Sequence, residues 1–144
     1  MADKNAKLYS AIGEFIFWFS QLEGRLKYTL AASLDLKPGQ FDVVVSPYDF
    51  AVLCTVAEKT LKLDFDEEFY PAIRKFFNEC RKLNSEVRIV VAHGSWTSKG
   101  ARHVSRGTLE AKTHFEKPEK LREAAQTAKK LLMEFEQMGA VSNR

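Results

Sequence analysis

The chain has 144 residues, of which 45% are hydrophobic and 28% are charged, and its formal net charge is +3 at pH 7. This length supports one domain with its own hydrophobic core and is short for two, so we predict a single domain over residues 1–144. A net charge this small neither requires nor excludes a nucleic-acid partner. The apolar run at residues 15–19 is short and is flanked by charged residues, so we expect no membrane span and no secretory signal.

The first predicted helix covers residues 8–34, where apolar side chains recur at steps of three and four residues. It ends before the segment Lys37-Pro38-Gly39. Phe17 and Trp18 widen its apolar face. This width favours contact with a second chain, although a central position in the fold explains the same pattern.

Two further helices are predicted from their first residues. The segment Ser46-Pro47-Tyr48-Asp49 supplies a capping hydroxyl, a proline suited to the first helical position and a carboxylate, and it predicts a second helix over residues 46–63. Pro71 opens a third helix, whose apolar residues keep helical spacing as far as His93.

The segment 95–115 loses the helical period and contains Gly100 and Gly107, which predicts a short β-hairpin or meander. Pro118 then starts a fourth long helix with a continuous apolar stripe. The predicted fold class is therefore all-α: an up-and-down bundle of four long helices with a small β-hairpin insertion before the last helix.

The two cysteines, Cys54 and Cys80, both lie inside apolar helical patterns and show no CxxC or Cys/His spacing. We therefore expect buried thiols in a reducing compartment and a cytoplasmic protein. His103 and His114 have no companion at metal-ligand spacing, so we assign them no metal or catalytic role. The sequence predicts no metal site and no cofactor.

The segment Arg88-Ile89-Val90-Val91-Ala92-His93 closes the third helix and is followed by Gly94. On an ideal helix Arg88 and His93 lie about 140° apart, so they do not stack, but they can flank one cleft. A cationic segment follows at once and includes Lys99, Arg102 and Arg106. Histidine transfers protons near neutral pH and a guanidinium holds two phosphate oxygens, so this region is the candidate site.

Each of these residues also has a structural interpretation. His93 can be a helix C-terminal histidine that donates to the last carbonyls, with Gly94 as a left-handed cap. Arg88 can pair with Glu86 or with a carboxylate on another helix. The cations after the helix can be the solvated face of a hairpin, and Trp96 can cover the end of the core instead of stacking on a base.

The order of these features resembles the HEPN family (higher eukaryotes and prokaryotes nucleotide-binding domain). The resemblance rests on Phe19-Ser20-Gln21-Leu22-Glu23 in the first helix, on the Arg-(four residues)-His-Gly motif, on Trp96, on the basic β insertion and on the amphipathic last helix. It covers essentially the whole chain, but only the pair Arg88 and His93 is a specific signal. The family consists of small dimeric helical bundles, many of which are metal-independent endoribonucleases of toxin or defence type.

The resemblance implies a homodimer that acts on RNA, with Arg88 and His93 as the catalytic pair. Lys99, Arg102, Arg106 and Trp96 are then the expected RNA contacts, and an antitoxin or other regulatory protein is an expected partner.

The family pattern commonly has a polar residue directly after the arginine, where this chain has Ile89. This departure favours the alternative of a catalytically silent HEPN-like module that binds a partner protein or a nucleotide. A second alternative is a plain four-helix bundle that docks a protein on the exposed face of its first helix.

Overall fold

The computed structural model describes residue 3 and residues 5–142, with side chains described up to residue 139. The protein is mostly helical and contains a small antiparallel sheet. The α-helices are α1 (Ala6–Ser33), α2 (Pro38–Val44), α3 (Phe50–Asp64), α4 (Tyr70–Leu83), α5 (Ile89–His93) and α6 (Pro118–Ser142). A 3₁₀ turn spans Glu67–Phe69, a π-helical turn spans Asn84–Arg88, and the strands are β1 (Ser95–Thr97), β2 (Gly100–Val104) and β3 (Ala111–His114).

One hydrophobic core holds the long helices together. α1 packs along α6 and against α3, while α4 packs against α3 and α6. The apolar stripe of α1 is buried in this core as the periodicity predicts: Leu8, Ala11, Phe15, Phe19, Leu22, Leu26 and Leu30. Cys54 and Cys80 are free thiols inside the core, as expected, and the hydrogen bond with Cys54 together with burial raises the pKa of Cys80 above its ordinary value.

The region between α1 and α3 differs from the prediction. A short helix, α2, begins at Pro38, where the sequence predicted none, and the amide of Lys37 donates to the side chain of Gln40 (2.8 Å). Ser46 does not cap the next helix, because α3 begins only at Phe50. The amide of Ser46 instead donates to the carbonyl of Phe41 in α2 (3.0 Å). Asp49 is the cap instead, since its carboxylate accepts from the amide of Val52 (2.8 Å).

α4, the π turn and α5 form one continuous helix from Tyr70 to His93. The third helix therefore ends where the sequence predicts, and it begins one residue before Pro71. Its interior is not regular, because the amide of Ile89 donates to the carbonyl of Asn84, five residues earlier. This wide turn lies directly before α5, so it sets the direction of the helix end that carries His93.

The segment after the helix is a three-stranded meander in the order β1-β2-β3. Gly100 follows the tight turn at Ser98 and Lys99 with φ +114°, and a Cβ at this position would collide with the carbonyl of His114. β2 pairs with β3 so that Ala101 lies opposite His114 and His103 lies opposite Lys112. The sheet therefore brings two histidines onto neighbouring strands.

Within the described residues, no helix combines the length and the apolar character needed to cross a membrane. α1 exposes several large apolar side chains on its outer face, namely Tyr9, Ile16, Phe17 and Tyr28. Trp18 is not part of that face, since it is half-buried against the core with the ammonium of Lys129 5.1 Å from its ring centre. The outer face of α1 is thus narrower than the sequence suggests.

Candidate functional site: a basic cleft at the end of the long helix

A cleft of about 1450 Å³ lies where the π turn and α5 meet the sheet. The start of α3, the loop after β2 and the first turn of α6 complete its walls. We call it the basic cleft, because its charged lining is mostly cationic: Arg88, Arg102, Arg106, Lys112 and Lys120, against Asp49, Glu86 and Glu110. All three histidines of the chain, His93, His103 and His114, also line it.

The π turn positions Arg88 in this cleft. Arg88 lies seven positions after Arg81, a step that on a regular α-helix puts two side chains within about 20° of each other. The extra residue in the π turn breaks this alignment. Arg81 pairs with Glu58 on α3 at 2.8 Å, whereas the half-buried Arg88 lines the cleft.

Asparagine and serine at the start of the π turn weaken the regular helix locally. Their short polar side chains compete for backbone hydrogen bonds, and the hydroxyl of Ser85 donates to the carbonyl of Lys82 (3.3 Å). Asn84 is the one buried polar side chain among the described residues. It lines the cleft four positions before Arg88 in the chain. Such wide turns recur at functional sites because they redirect side chains.

His93 is exposed at the last position of α5. The following Gly94 has φ −68° and ψ 151°, so it is not the left-handed cap of the structural interpretation. A Cβ at Gly94 would lie 2.6 Å from the carbonyl oxygen of Val90 and 2.9 Å from the Cβ of Ala101. Glycine is therefore needed because the helix end approaches β2 closely, and this approach sets His93 beside the sheet.

Most cations of the cleft have no carboxylate partner in the described part of the chain. Among the described residues, no ion pair within 4.0 Å includes Arg88, Arg102, Arg106 or Lys112. The expected alternative of an Arg88–Glu86 pair is thus not found there. Lys120 does pair with Glu123 (3.4 Å), but both side chains are well exposed and such pairs are weak. A phosphate entering the cleft would meet guanidinium groups without displacing a carboxylate.

The remaining predicted contacts divide into two groups. Arg102 and Arg106 line the basic cleft with Arg88 and His93, whereas Lys99 and Trp96 are not among its lining residues. Lys99 is exposed in the turn between β1 and β2. Trp96 is half-buried against the core. Its indole nitrogen donates to the carbonyl of Val91 (3.1 Å), and its ring stacks on Phe115 at 6.3 Å and 16°.

His103 and His114 are the site residues that the sequence interpretation did not assign. Their ring centres lie 6.5 Å apart across the β2–β3 ladder. Burial, then the charges of Lys112 and His103, lower the pKa of His114 below its ordinary value of 6.5. The signal that would have found them is the hairpin register, which places residue 103 opposite residue 112 and so beside residue 114.

A second concavity of about 710 Å³ runs along α3 and α4 on another part of the molecule, between Lys62 and Lys82. It contains cations and carboxylates but no histidine. Within the described part of the chain, no cluster of three or more His, Cys, Asp or Glu side chains is arranged to hold a metal ion.

No protein-family model matches the chain, and no curated protein or solved structure shows significant similarity to it.

Proposed function

We propose that the protein is a HEPN-like RNA-acting protein, a metal-independent endoribonuclease of toxin or defence type whose site is the basic cleft. The observation that carries this proposal is the convergence of Arg88, His93, Arg102 and Arg106 on one open cleft, with the arginines unpaired within the described residues. The finer fold assignment, an up-and-down bundle of four long helices, belongs to the same proposal and is supported by the packing of α1, α3, α4 and α6.

The chemistry needs no metal. The 2′-hydroxyl of a ribose attacks the adjacent phosphorus, its proton passes to a base, and an acid protonates the departing 5′-oxygen. His93 supplies the proton to the 5′-oxygen, and the guanidinium of Arg88 stabilises the charge on the phosphoryl oxygens. Arg102 and Arg106 hold the neighbouring phosphates of the strand.

The homodimer is also part of the proposal. The exposed apolar side chains of the outer α1 face offer a surface that a second copy can cover, and the family resemblance implies two copies. Sedimentation at micromolar concentration tests this point, with a dimer expected. A monomer at every concentration would remove the homodimer from the proposal and would count against the HEPN resemblance that implies it. A cytoplasmic location and an antitoxin or regulatory partner are proposed with it.

The second candidate function is a catalytically silent module that binds RNA, a nucleotide or a protein through the same cleft. The observation in its favour is Ile89, a half-buried apolar side chain that lines the cleft directly after Arg88. A polar residue there would help to orient substrate, and isoleucine offers no hydrogen bond.

The test is incubation of the purified protein with single-stranded and structured RNA in the presence of a metal chelator. We expect fragments that end in 2′,3′-cyclic phosphate, and a loss of rate of about 10²-fold or more for Arg88→Ala and for His93→Ala. Arg122→Ala is the matched control, because Arg122 is exposed on α6 and does not line the cleft.

Binding without cleavage, weakened by salt and by loss of Arg102 and Arg106, would replace the enzyme with the silent module. The absence of both cleavage and RNA binding would overturn the RNA-acting proposal altogether.

A further inference from the structure

The proposed reaction needs a base as well as an acid, and two histidines of the cleft have no role in it so far. His103 and His114 lie on adjacent strands with ring centres 6.5 Å apart. His114 is half-buried at the end of β3, next to the loop that leads to α6. Neither ring takes part in a described hydrogen bond that would fix it in a purely structural role.

The packing of the helix end brings His93 and His114 into the same neighbourhood. Gly94 abuts Ala101, where even a single added carbon at Gly94 would lie 2.9 Å from the Cβ of Ala101. Ala101 in turn lies opposite His114 in the β2–β3 ladder, and antiparallel partners have Cα atoms about 4.5–5.5 Å apart. Gly94, the neighbour of the exposed His93, therefore contacts Ala101, and Ala101 is the strand partner of the half-buried His114.

We propose that His114 is the general base of the basic cleft, which takes the proton of the attacking 2′-hydroxyl while His93 protonates the leaving 5′-oxygen. The inference rests on the proposed endoribonuclease function and deepens it. The bond from the 2′-oxygen to phosphorus forms as the bond from phosphorus to the 5′-oxygen breaks. One proton moves to His114 and one leaves His93, so the products are a 2′,3′-cyclic phosphate and a free 5′-hydroxyl, and no co-reactant is needed.

The charges around His114 suit the role of base. Burial, then the charges of Lys112 on its own strand and of His103 on the neighbouring strand, lower the pKa of His114, which favours the neutral imidazole that can accept a proton. The other charges of the cleft are the cations Arg88, Arg102, Arg106 and Lys120 and the carboxylates of Asp49, Glu86 and Glu110. His93 is exposed at the last position of α5, whereas His114 is half-buried. The two histidines therefore differ in their exposure to solvent.

The experiment is the dependence of kcat/KM on pH for RNA cleavage by the full chain. We expect His114→Gln to lower kcat/KM by about 10²–10⁴-fold at pH 7 and to abolish the acidic limb of the profile. His103→Gln is the matched control on the same face of the sheet. It keeps most of the rate, because it leaves the base in place, but it moves the acidic limb to higher pH.

Lys112→Gln gives a larger shift of that limb in the same direction, since Lys112 lowers the pKa of His114 more than His103 does. Two failures are distinguishable. If the wild type does not cleave RNA, the proposed function and this inference fall together. If the wild type cleaves RNA and His114→Gln, folded by circular dichroism, retains its rate and its acidic limb, the inference is overturned and the proposed function stands.

Discussion

Arg81 and Arg88 belong to the same continuous helix, one on each side of the point where the π turn begins, and their surroundings differ sharply. Arg81 lies 2.8 Å from Glu58, and Glu58 also accepts a hydrogen bond from Lys62 (2.8 Å). Arg88 lines the basic cleft and belongs to none of the described ion pairs.

The difference shows two roles that an arginine side chain can have in the same helix. Glu58 joins α3 to α4 through Arg81, and the same network reaches Tyr70, whose hydroxyl donates to the carbonyl of Lys62 (2.8 Å). A guanidinium whose charge is compensated in this way contributes to folding and has little left to offer a ligand. Arg88 is held by the same rigid helix, with no carboxylate of the described residues within 4.0 Å of its guanidinium, which is the condition for binding an anion.

The largest expected effect is that alanine at Arg88 lowers the cleavage rate, whereas alanine at Arg81 lowers the stability. Arg88→Ala should lower the rate of RNA cleavage by about 10²-fold or more and change the free energy of unfolding by less than about 0.5 kcal/mol. Arg81→Ala should leave the cleavage rate within about twofold and lower the free energy of unfolding by about 1–2 kcal/mol. Cleavage assays and urea unfolding of both variants measure this. Equal effects of the two variants on stability and on rate would remove the distinction.

The next effect compares the stability of two glycine-to-alanine variants, one at Gly94 beside the cleft and one at Gly13 on α1. Gly94→Ala forces a carbon against the carbonyl of Val90 and the side chain of Ala101, so it should lower the free energy of unfolding by about 1–3 kcal/mol and disturb the cleft. A Cβ at Gly13 on α1 meets no atom of the described residues within 4 Å, so Gly13→Ala should raise the free energy of unfolding by about 0.5–1 kcal/mol and leave the activity unchanged. Thermal and urea unfolding test the pair. A Gly94→Ala variant as stable as the wild type would show that the helix end does not press on β2.

A smaller effect is the pH dependence of the free energy of unfolding that results from Glu58. Burial raises the pKa of Glu58, but its interactions with Lys62 and Arg81 outweigh burial and hold the pKa below its ordinary value of 4.5. The contribution of the Glu58 carboxylate to the free energy of unfolding is therefore complete above pH 4.5. It is lost as the pH falls through the lower pKa that Glu58 has in the folded protein.

Glu58→Gln should be about 1–2 kcal/mol less stable than the wild type near pH 7. The two proteins should converge in stability at acid pH, which urea unfolding at several pH values measures. A difference that does not depend on pH would assign the effect to packing instead.

The smallest effect compares cations inside and outside the cleft. Replacing both Arg102 and Arg106 with glutamine should reduce the salt dependence of single-stranded RNA binding by about 1.4 in the slope of log K against log salt, at about 0.7 for each phosphate contact. Lys99→Gln should leave the slope unchanged, because Lys99 does not line the cleft. Fluorescence anisotropy over a range of salt concentrations measures both. A slope that falls equally in the two variants would place the RNA along the β1–β2 turn.

The sequence predicted the long helices well, because apolar spacing reports burial directly: the stripe of α1 and the start of α6 at Pro118 lie where expected. It misplaced the cap of α3, since Ser46 and Asp49 are both good capping residues and only the end of α2 decides between them. The π turn has no periodic signature of its own. The sequence gives no distance between His103 and His114, because their meeting depends on strand register.

The most direct test of the account is the behaviour of the three histidines on addition of RNA that cannot be cleaved. All of them line the basic cleft, so their imidazole NMR signals report on it alone. A single-stranded oligonucleotide lacking 2′-hydroxyls should shift the signals of His93, His103 and His114 with one common saturation curve, and Arg88→Ala should weaken that binding. Tight binding of the oligonucleotide that leaves all three imidazole signals unmoved would contradict the account.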